Sequence, residues 1–232
     1  GEIYEKVNLT KLPILINLPD KSSVILQPNS KICYSPKQYN QSKREVILSG
    51  EAFFEVQKNR QKPFFVYANE LVTKVLGTSF FIKSQPTSAD MEVVVKTGRV
   101  AVFLQHDANK LKKLTTTSLT GLVLNANERV QVNGAEFSIK KPTRIDQESL
   151  SLPIQKLTFN FDEAPAVDVL TELEKAYGID IVFEKNKLTN CKLTAHLSDE
   201  PLMEKLELIC AALEATYKEV DNKIILQVKG CP

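Results

Sequence analysis

The sequence lacks the residues and runs that mark several common classes of protein. It has two histidines and four cysteines without CxxC spacing, so the donor set of a structural zinc site is missing. No stretch approaches the roughly 18 to 20 continuous apolar residues of a membrane-spanning helix, and no signal-peptide pattern opens the chain. The net charge is only +2 and both signs are interspersed, which argues against a nucleic-acid partner.

Glycine is scarce, and the segments "VLGTSFF" and "KTGRV" hold one glycine each, so no phosphate-binding loop is present. His106 falls in a polar loop and His196 in a strand pattern, and neither is near a cysteine or serine in a motif for nucleophilic catalysis. The basic run at 110–113 is expected to be solvated. The sequence therefore predicts no enzyme active site, no metal site and no cofactor.

One pair of carboxylates, Glu51 and Glu55 in "VILSGEAFFEVQ", could be an acid and a base. Side chains four residues apart on a strand lie about 13 Å apart, which is too far for either glycosidase geometry. We therefore expect a structural role, with both carboxylates flanking Phe53 on the outer face of a strand. The other face would pack against the core through Ala52, Phe54 and Val56.

What the sequence does contain is a soluble globular composition, 43% apolar and 25% charged, that changes pattern once along the chain. Residues 1–141 predict an all-β domain, either a sandwich or solenoid-like stacked strands. Asn133-Gly134 predicts a tight hairpin turn. The predicted strands are 23–27, 31–35, 44–50, 51–57, 63–68, 71–77, 78–84, 91–98, 99–105, 128–134 and 135–141.

Residues 142–155 are polar, contain two prolines and predict a linker. Residues 156–232 then predict a small α/β domain of two βαβ units related by a shift of 36 residues. In each unit a strand is followed by a proline, Pro165 or Pro201, that opens a helix with an apolar stripe. Gly178 ends the first helix.

The cysteines allow one candidate disulfide. Cys191 and Cys231 each lie at a strand end, where a bond could join two termini in an oxidising compartment. Cys210 lies on the apolar side of a predicted helix and is expected to be a buried, inert thiol.

Four blocks of residues together resemble the FecR family of anti-sigma regulators, in matching order and spacing over residues 18 to about 135. They are "LPDKSSVILQPNSKICYS", "REVILSGEAFFEVQKNRQKPFFVYA", "KVLGTSFFIKS" and "VVVKTGRVAVF". The region 156–229 resembles the C-terminal domain of such regulators, which is similar to the short N-terminal signalling (STN) domain of secretins and TonB-dependent transporters. Lys21 and Phe81 depart from the family pattern, which has Gly and Asn there, so those two turns are expected to differ.

The resemblance implies the periplasmic part of a single-pass inner-membrane protein, so we expect the membrane helix and the sigma-binding region to belong to a longer protein. It would also supply the oxidising compartment. It marks Gly50, Glu51, Gly77 and Gly98 as structural signature residues, Gly50 as a corner or bulge and Glu51 as a cap on backbone N–H groups.

The implied function is to relay the state of a TonB-dependent outer-membrane transporter to an extracytoplasmic-function sigma factor by protein contact. Docking would occur by strand addition to the transporter's signalling domain. The candidate docking edges are Lys192, Thr194 and His196, or Lys223, Ile225 and Gln227. The alternative is a β domain that binds a glycan or siderophore in a groove lined by Phe53, Phe65 and Phe81.

Overall fold

The computed structural model describes residues 2–84, 88–136, 138–145, 158–198, 200–220 and 223–231. Up to residue 145 these residues form a curled sheet of 14 strands and one short helix. The strands are β1 Tyr4–Asn8, β2 Ile14–Asn17, β3 Ser23–Leu26, β4 Ser30–Tyr34, β5 Arg44–Glu55, β6 Phe64–Ala68, β7 Leu71–Val75, β8 Ser79–Ser84, β9 Asp90–Thr97, β10 Arg99–Leu104, β11 Leu122–Asn125, β12 Glu128–Asn133, β13 Ser138–Ile139 and β14 Thr143–Arg144. The helix α1 spans Lys110–Thr115.

The curled sheet forms two layers that meet through β5. Layer A contains, in order, β1, β4, the first half of β5, β6, β7, β10 and β11. Layer B contains β2, β3, the second half of β5, β8, β9 and β12, with β13 and β14 both pairing with β12. Only the β5–β6 pairing is parallel within these layers. This arrangement confirms the prediction of a mainly β domain with sandwiched, stacked strands.

Gly50 is the point at which β5 passes from layer A to layer B. Residues before it pair with β4 and β6, and residues after it pair with β3 and β8. The strand does not break there, so the two predicted strands at 44–50 and 51–57 are one strand of 12 residues. The φ of Gly50 is +102°, and an added Cβ would lie 2.7 Å from the Cβ of Ser30. Only glycine fits this crossing.

Successive hairpins alternate between the two layers. The pairs β6–β7 and β10–β11 belong to layer A, and β2–β3 and β8–β9 belong to layer B. Gly77 lies on the connection from β7 to β8, and Gly98 lies between β9 and β10, so both signature glycines mark layer crossings. Consecutive hairpins along the chain therefore extend the two layers in turn.

The core between the layers is built from β-branched and aromatic side chains that alternate along the strands. Phe54 and Phe80, for example, stack with ring centroids 5.1 Å apart. The buried members of this core include Ile32, Val46, Val66, Val75, Val100 and Val102 from layer A and Val24, Leu26, Ile82, Val93, Val95 and Val130 from layer B.

Some elements differ from the sequence expectations. Strands β1, β2, β11 and β14 and the helix α1 were not predicted, because each is short. Asn133-Gly134 does not form a tight turn: neither residue has positive φ, and four residues separate the paired Asn133 and Ser138. Phe81 lies within β8 rather than in a turn, whereas Lys21 adopts φ +69°, a value that the glycine of the family pattern would also allow.

The helix α1 covers part of the outer face of layer A. Its residue Leu114 packs on the buried cluster of Phe65, Val72 and Phe103. The ammonium group of buried Lys74 donates hydrogen bonds to three backbone carbonyls of this segment, those of Lys113, Thr116 and Ser118.

The second unit consists of strands that form two small sheets, together with helices. Its elements are β15 Phe159–Pro165, α2 Ala166–Tyr177, β16 Asp180–Val182, α3 Lys185–Leu188, β17 Lys192–Leu197, α4 Leu202–Ala212, β18 Thr216–Val220 and β19 Lys223–Gln227. Strand β15 pairs with β17, and β19 lies between β16 and β18. Helices α2 and α4 begin 36 residues apart, as do β16 and β18 (202 − 166 and 216 − 180), so the predicted repeat is a structural one. No described helix is long and apolar enough to cross a membrane.

The start of the predicted linker belongs to the first unit, since Thr143 and Arg144 pair with β12. The remainder, from 146 to 155, lies outside the described residues, so the predicted boundaries stay predictions.

A disulfide joins Cys191 to Cys231. Cys191 precedes β17 and Cys231 follows β19, so the bond links the two small sheets of the α/β unit. Among the described residues Cys33 and Cys210 are free thiols. Burial raises the pKa of the Cys210 thiol to about 11, which keeps it protonated and unreactive.

We expect loss of this disulfide to lower the free energy of unfolding by about 4 kcal/mol, because it closes a loop of 40 residues in the unfolded chain. Urea unfolding of C191S/C231S should show this loss, and a reductant should lower the wild type to the same value. A reductant that leaves the wild type unchanged would contradict the expectation.

Replacing Gly50 by alanine should cost more than about 3 kcal/mol, because the positive φ adds to the overlap with Ser30. Gly178 is the matched control, since its φ is +64° and nothing lies within 4 Å of an added Cβ. G178A should lose only the conformational part, about 1 to 2 kcal/mol. Equal losses in urea unfolding would show that the contact with Ser30 contributes nothing.

Candidate partner interface

The α/β unit packs on the outer face of layer B. Five apolar side chains, each opposite the next on neighbouring strands, form a row across this face: Leu15, Ile25, Phe53, Phe81 and Val94. The row belongs to one continuous buried cluster with the apolar faces of α2 and α4. Phe53 is therefore not on a water-facing surface, and both faces of β5 are buried from Ala52 to Glu55.

Glu55 lies in this interface and is 1% exposed. Its Oε1 accepts a hydrogen bond from the Tyr177 hydroxyl at 2.7 Å, at the end of α2. Its Oε2 accepts one from the backbone N–H of Leu202 at 2.9 Å, the first residue of α4. Lys205 Nζ lies 4.0 Å from Oε1. We call Glu55, Tyr177, Leu202 and Lys205 the Glu55 cluster.

Lys205 also holds the segment between β17 and α4. Its ammonium group is fully buried and donates hydrogen bonds to the carbonyl of Ser198 at 3.0 Å and to that of Glu200. The end of β17 and the start of α4 are thus both fixed to the cation that faces Glu55.

The protonation of the Glu55 cluster reflects its burial. Desolvation raises the pKa of Glu55 above its ordinary value, and Lys205, Tyr177 and the N–H of Leu202 act in the opposite direction. Burial and the neighbouring Glu55 carboxylate raise the pKa of Tyr177, so its hydroxyl remains a hydrogen-bond donor.

The sequence expectation for the surroundings of Glu55 was wrong, because this side chain is buried. The predicted distance between the carboxylates of Glu51 and Glu55 stays a prediction. Glu51 has Lys83 at 3.6 Å on the neighbouring strand, and its own backbone N–H donates to Ser30 Oγ at 2.8 Å. Its role as a cap for backbone N–H groups stays a prediction. Glu55 is instead the most buried acid of the interface, a role that the strand pattern did not indicate.

A sequence signal for the cluster did exist. Lys205 lies within the apolar stripe of α4, between Leu202 and Ile209, where a lysine must be buried. A cation in a buried stripe requires an acid from another element.

Strand β17 offers the candidate docking edge. It pairs with β15 on one side and with no other strand in the part of the chain that the structure describes. The carbonyl of Cys191 accepts the N–H of Ala166 on the β15 side at 2.9 Å. Backbone groups alternate in direction along a strand, so those of Lys192, Thr194 and His196 point to the open side.

The side chains of these three residues lie on the exposed face of β17. Lys192 Nζ is 3.7 Å from Glu163, and Thr194 Oγ1 accepts the N–H of Glu163 at 3.0 Å. His196 Nδ1 lies 3.2 Å from Asn160 Oδ1. All three contacts go to β15, and no described strand pairs with the opposite edge of β17.

The second predicted edge is wrong. Strand β19, with Lys223, Ile225 and Gln227, is the middle strand of its sheet: β16 pairs with it in parallel and β18 pairs with it antiparallel. Both of its edges are occupied. The parallel partner comes from 43 residues earlier in the chain (223 − 180), and local sequence does not reveal such a pairing.

The predicted ligand groove is also wrong. Phe53 and Phe65 are completely buried and Phe81 is 7% exposed. Phe53 and Phe81 belong to the interface with the α/β unit, and Phe65 lies beneath α1. None of these rings lines a groove.

A concavity of about 860 Å³ on layer A is lined by two carboxylates, Glu5 and Glu45. Its carboxylate Glu45 is bound by the Tyr67 hydroxyl at 2.6 Å and by Lys43 at 2.7 Å. Among the described residues no group of three or more His, Cys, Asp or Glu could hold a metal ion. The geometry defines a structural class: a β scaffold that carries a small α/β unit in which one strand edge is unpaired among the described residues.

Comparison with known families makes this class specific. The family model for FecR protein matches residues 13–101, and the model for the FecR C-terminal region matches residues 158–226. The chain therefore belongs to the FecR family of anti-sigma factors. This family is regulatory, and an anti-sigma factor has a sigma factor as its partner.

Solved structures agree with this assignment. Two crystal structures of a protein provisionally assigned as an anti-sigma factor, from Parabacteroides distasonis ATCC 8503, are 24% and 25% identical to the chain, each with a TM-score of 0.54. They cover 99% and 98% of this chain and all of their own. A comparison with curated protein sequences finds no match.

The Glu55 cluster predicts a large difference between two glutamates on one strand face. Glu55→Ala should lower the free energy of unfolding by about 3 to 5 kcal/mol, because it leaves a buried cation and two donors unpaired. Glu51→Ala is the matched control and should cost less than about 1 kcal/mol, since its contact with Lys83 is partly solvated. Urea unfolding measures both. Equal effects would show that the cluster does not hold the interface.

The raised pKa of Glu55 also predicts a pH dependence. The folded protein binds the Glu55 proton more tightly than the unfolded chain does, so this group adds stability as the pH falls from above the folded pKa towards the unfolded value. Comparing the wild type with Glu55→Gln across this range should show the wild type gaining relative to the variant on acidification.

Proposed function

We propose that this chain is the periplasmic signal-transducing part of a membrane-anchored FecR-family anti-sigma factor. It would sense a TonB-dependent outer-membrane transporter by contact and relay that state to an extracytoplasmic-function sigma factor. In this proposal the same protein also has a single inner-membrane helix and a cytoplasmic region, and these reach the sigma factor.

The observation that carries the proposal is the open edge of β17. Its outward backbone groups can bond to a strand of the transporter's signalling domain, which is the mode of recognition known as strand addition. The resemblance of the sequence 156–229 to such signalling domains supports this pairing, because sheets of similar twist can align their edge strands.

The Glu55 cluster supports a role in which a change at β17 is transmitted to the β-sandwich. A unit that only bound the partner would not need such a connection. The end of β17 is bonded to Lys205, and Lys205 faces a carboxylate on the strand that runs through both layers. A partner that displaces β17 would act on buried polar groups, which tolerate displacement poorly.

The test is calorimetric titration of the chain with the purified signalling domain of a TonB-dependent transporter from the same organism. Thr194→Pro removes an outward N–H from the middle of β17 and should weaken binding at least about tenfold. Thr194→Ser keeps both the N–H and the hydroxyl that accepts from Glu163, so it should bind like the wild type.

Unfolding in urea shows whether Thr194→Pro remains folded. Equal affinity of the folded proline and serine variants would exclude β17 as the docking edge. Absence of binding by the wild type would exclude this transporter domain as the partner.

A further inference from the structure

A long connection crosses the outer face of layer A between β10 and β11. It covers residues 105–121, which is 17 residues (122 − 105), and it contains the helix α1. Connections of this length are uncommon in compact domains, and many of them are lids that move over another part of the surface. We call residues 105–121 the strap.

Both ends of the strap are fixed to the sheet. The backbone N–H of Gln105 donates to the carbonyl of Glu70 at 2.8 Å, and the Nε2 of Gln105 donates to the carbonyl of Asn69 at 2.6 Å. After the strap, β11 pairs with β10 from Leu122 onwards. The part of the strap between these ends can therefore leave the sheet without any strand being broken.

The helix of the strap has little apolar contact with the sheet below it. No residue of α1 is buried, and Leu111 is 76% exposed. Leu114 packs against three fully buried side chains, Phe65, Val72 and Phe103, which form a cluster separate from the core between the two layers. Segments with few buried apolar contacts open locally at a lower free energy than the rest of a fold. Opening of the strap would affect only this separate cluster.

One side chain of the sheet holds the middle of the strap. Lys74 on β7 is fully buried, and its ammonium group donates to the carbonyls of Lys113, Thr116 and Ser118 at 2.8, 2.5 and 2.9 Å. These three bonds use every N–H of the ammonium group. All three acceptors lie in the strap, so one side chain fixes the position of the whole middle segment.

The charge of Lys74 is balanced by backbone dipoles and by the ring of Phe65, whose centre lies 5.4 Å from Nζ. Among the described residues no carboxylate pairs with Lys74, and the only acid of the strap, Asp107, pairs with Lys113 instead. Burial lowers the pKa of Lys74 to about 8, so the closed strap holds this ammonium group at a free-energy cost. When the strap lifts, the ammonium group regains water and that cost is removed.

We propose that the strap is a conformational switch that opens and closes as a unit over layer A, with Lys74 as the latch of the closed state. Opening uncovers Phe65, Val72 and Phe103 and leaves the core between the layers folded. The switch is separate from the proposed docking strand, because the α/β unit packs on layer B.

The test is hydrogen exchange of the folded protein, followed by mass spectrometry. In the wild type, the amides of Lys113 and Thr116, which donate within the strap, should exchange faster than the amides of β8 and β9. Lys74→Met keeps an unbranched apolar side chain under the strap and removes the latch. It should speed exchange of the strap at least about tenfold, and the rates of β8 and β9 should not change by the same factor.

Lys112→Met is the matched control. Lys112 lies on the same helix and is exposed, so its replacement makes the same change in charge without touching the latch. Exchange of the strap in this variant should equal that of the wild type.

Three results would overturn the proposal. The first is exchange of the wild-type strap as slow as that of β8 and β9, which would mean that the strap opens only when the whole domain unfolds. The second is an equal acceleration of the strap and of β8 and β9 in Lys74→Met, which would make Lys74 a general stabiliser of the fold. The third is the same acceleration in Lys112→Met as in Lys74→Met. The wild-type measurement stands even if Lys74→Met fails to fold.

Discussion

The arrangement of the two units depends on one buried carboxylate, that of Glu55. Its described side-chain partners all lie across the boundary between the β-sandwich and the α/β unit. Glu55 belongs to the β-sandwich, and the groups bonded to it or paired with it all belong to the α/β unit. A buried ion pair is not in itself strong evidence for stability, because desolvation of two charges offsets most of their attraction. What it does impose is geometry: an arrangement of the two units that separates Tyr177, Leu202 and Lys205 from Glu55 leaves charges unpaired in an apolar interface.

This constraint fixes the position of the α/β unit relative to the β-sandwich. The apolar row from Leu15 to Val94 would allow the helices to slide, since hydrophobic contact has no direction. The Glu55 cluster specifies the position along that row. Peripheral contacts agree with it, such as Lys21 to Glu207 at 2.9 Å. Lys21 replaces the turn glycine of the family pattern and keeps its left-handed backbone, so the turn gains a side chain that reaches α4.

Local pattern predicts most of this fold and little of its interface. The strands of the sandwich, the two helices, the repeat and the end of α2 at Gly178 follow from alternation, period and turn residues, because these are local properties. The burial of Phe53 and Glu55 does not, since alternation shows that a strand has two faces but not what covers each. The same limit explains β19, whose central position depends on a parallel partner far away in sequence. Short strands such as β2 carry too few residues for a period to emerge.

The cross-link between Cys191 and Cys231 has a mechanical consequence. β17 is held in its sheet by one neighbouring strand, and an edge strand of this kind peels away bond by bond when it is pulled sideways. The disulfide connects the start of β17 to the end of β19, and β19 is paired with a strand on each of its edges. A force on β17 is therefore transmitted to β19 through a covalent bond. In the proposed docking mode, tension on β17 would thus be shared by both sheets, and the α/β unit would resist it as a whole instead of unfolding from β17.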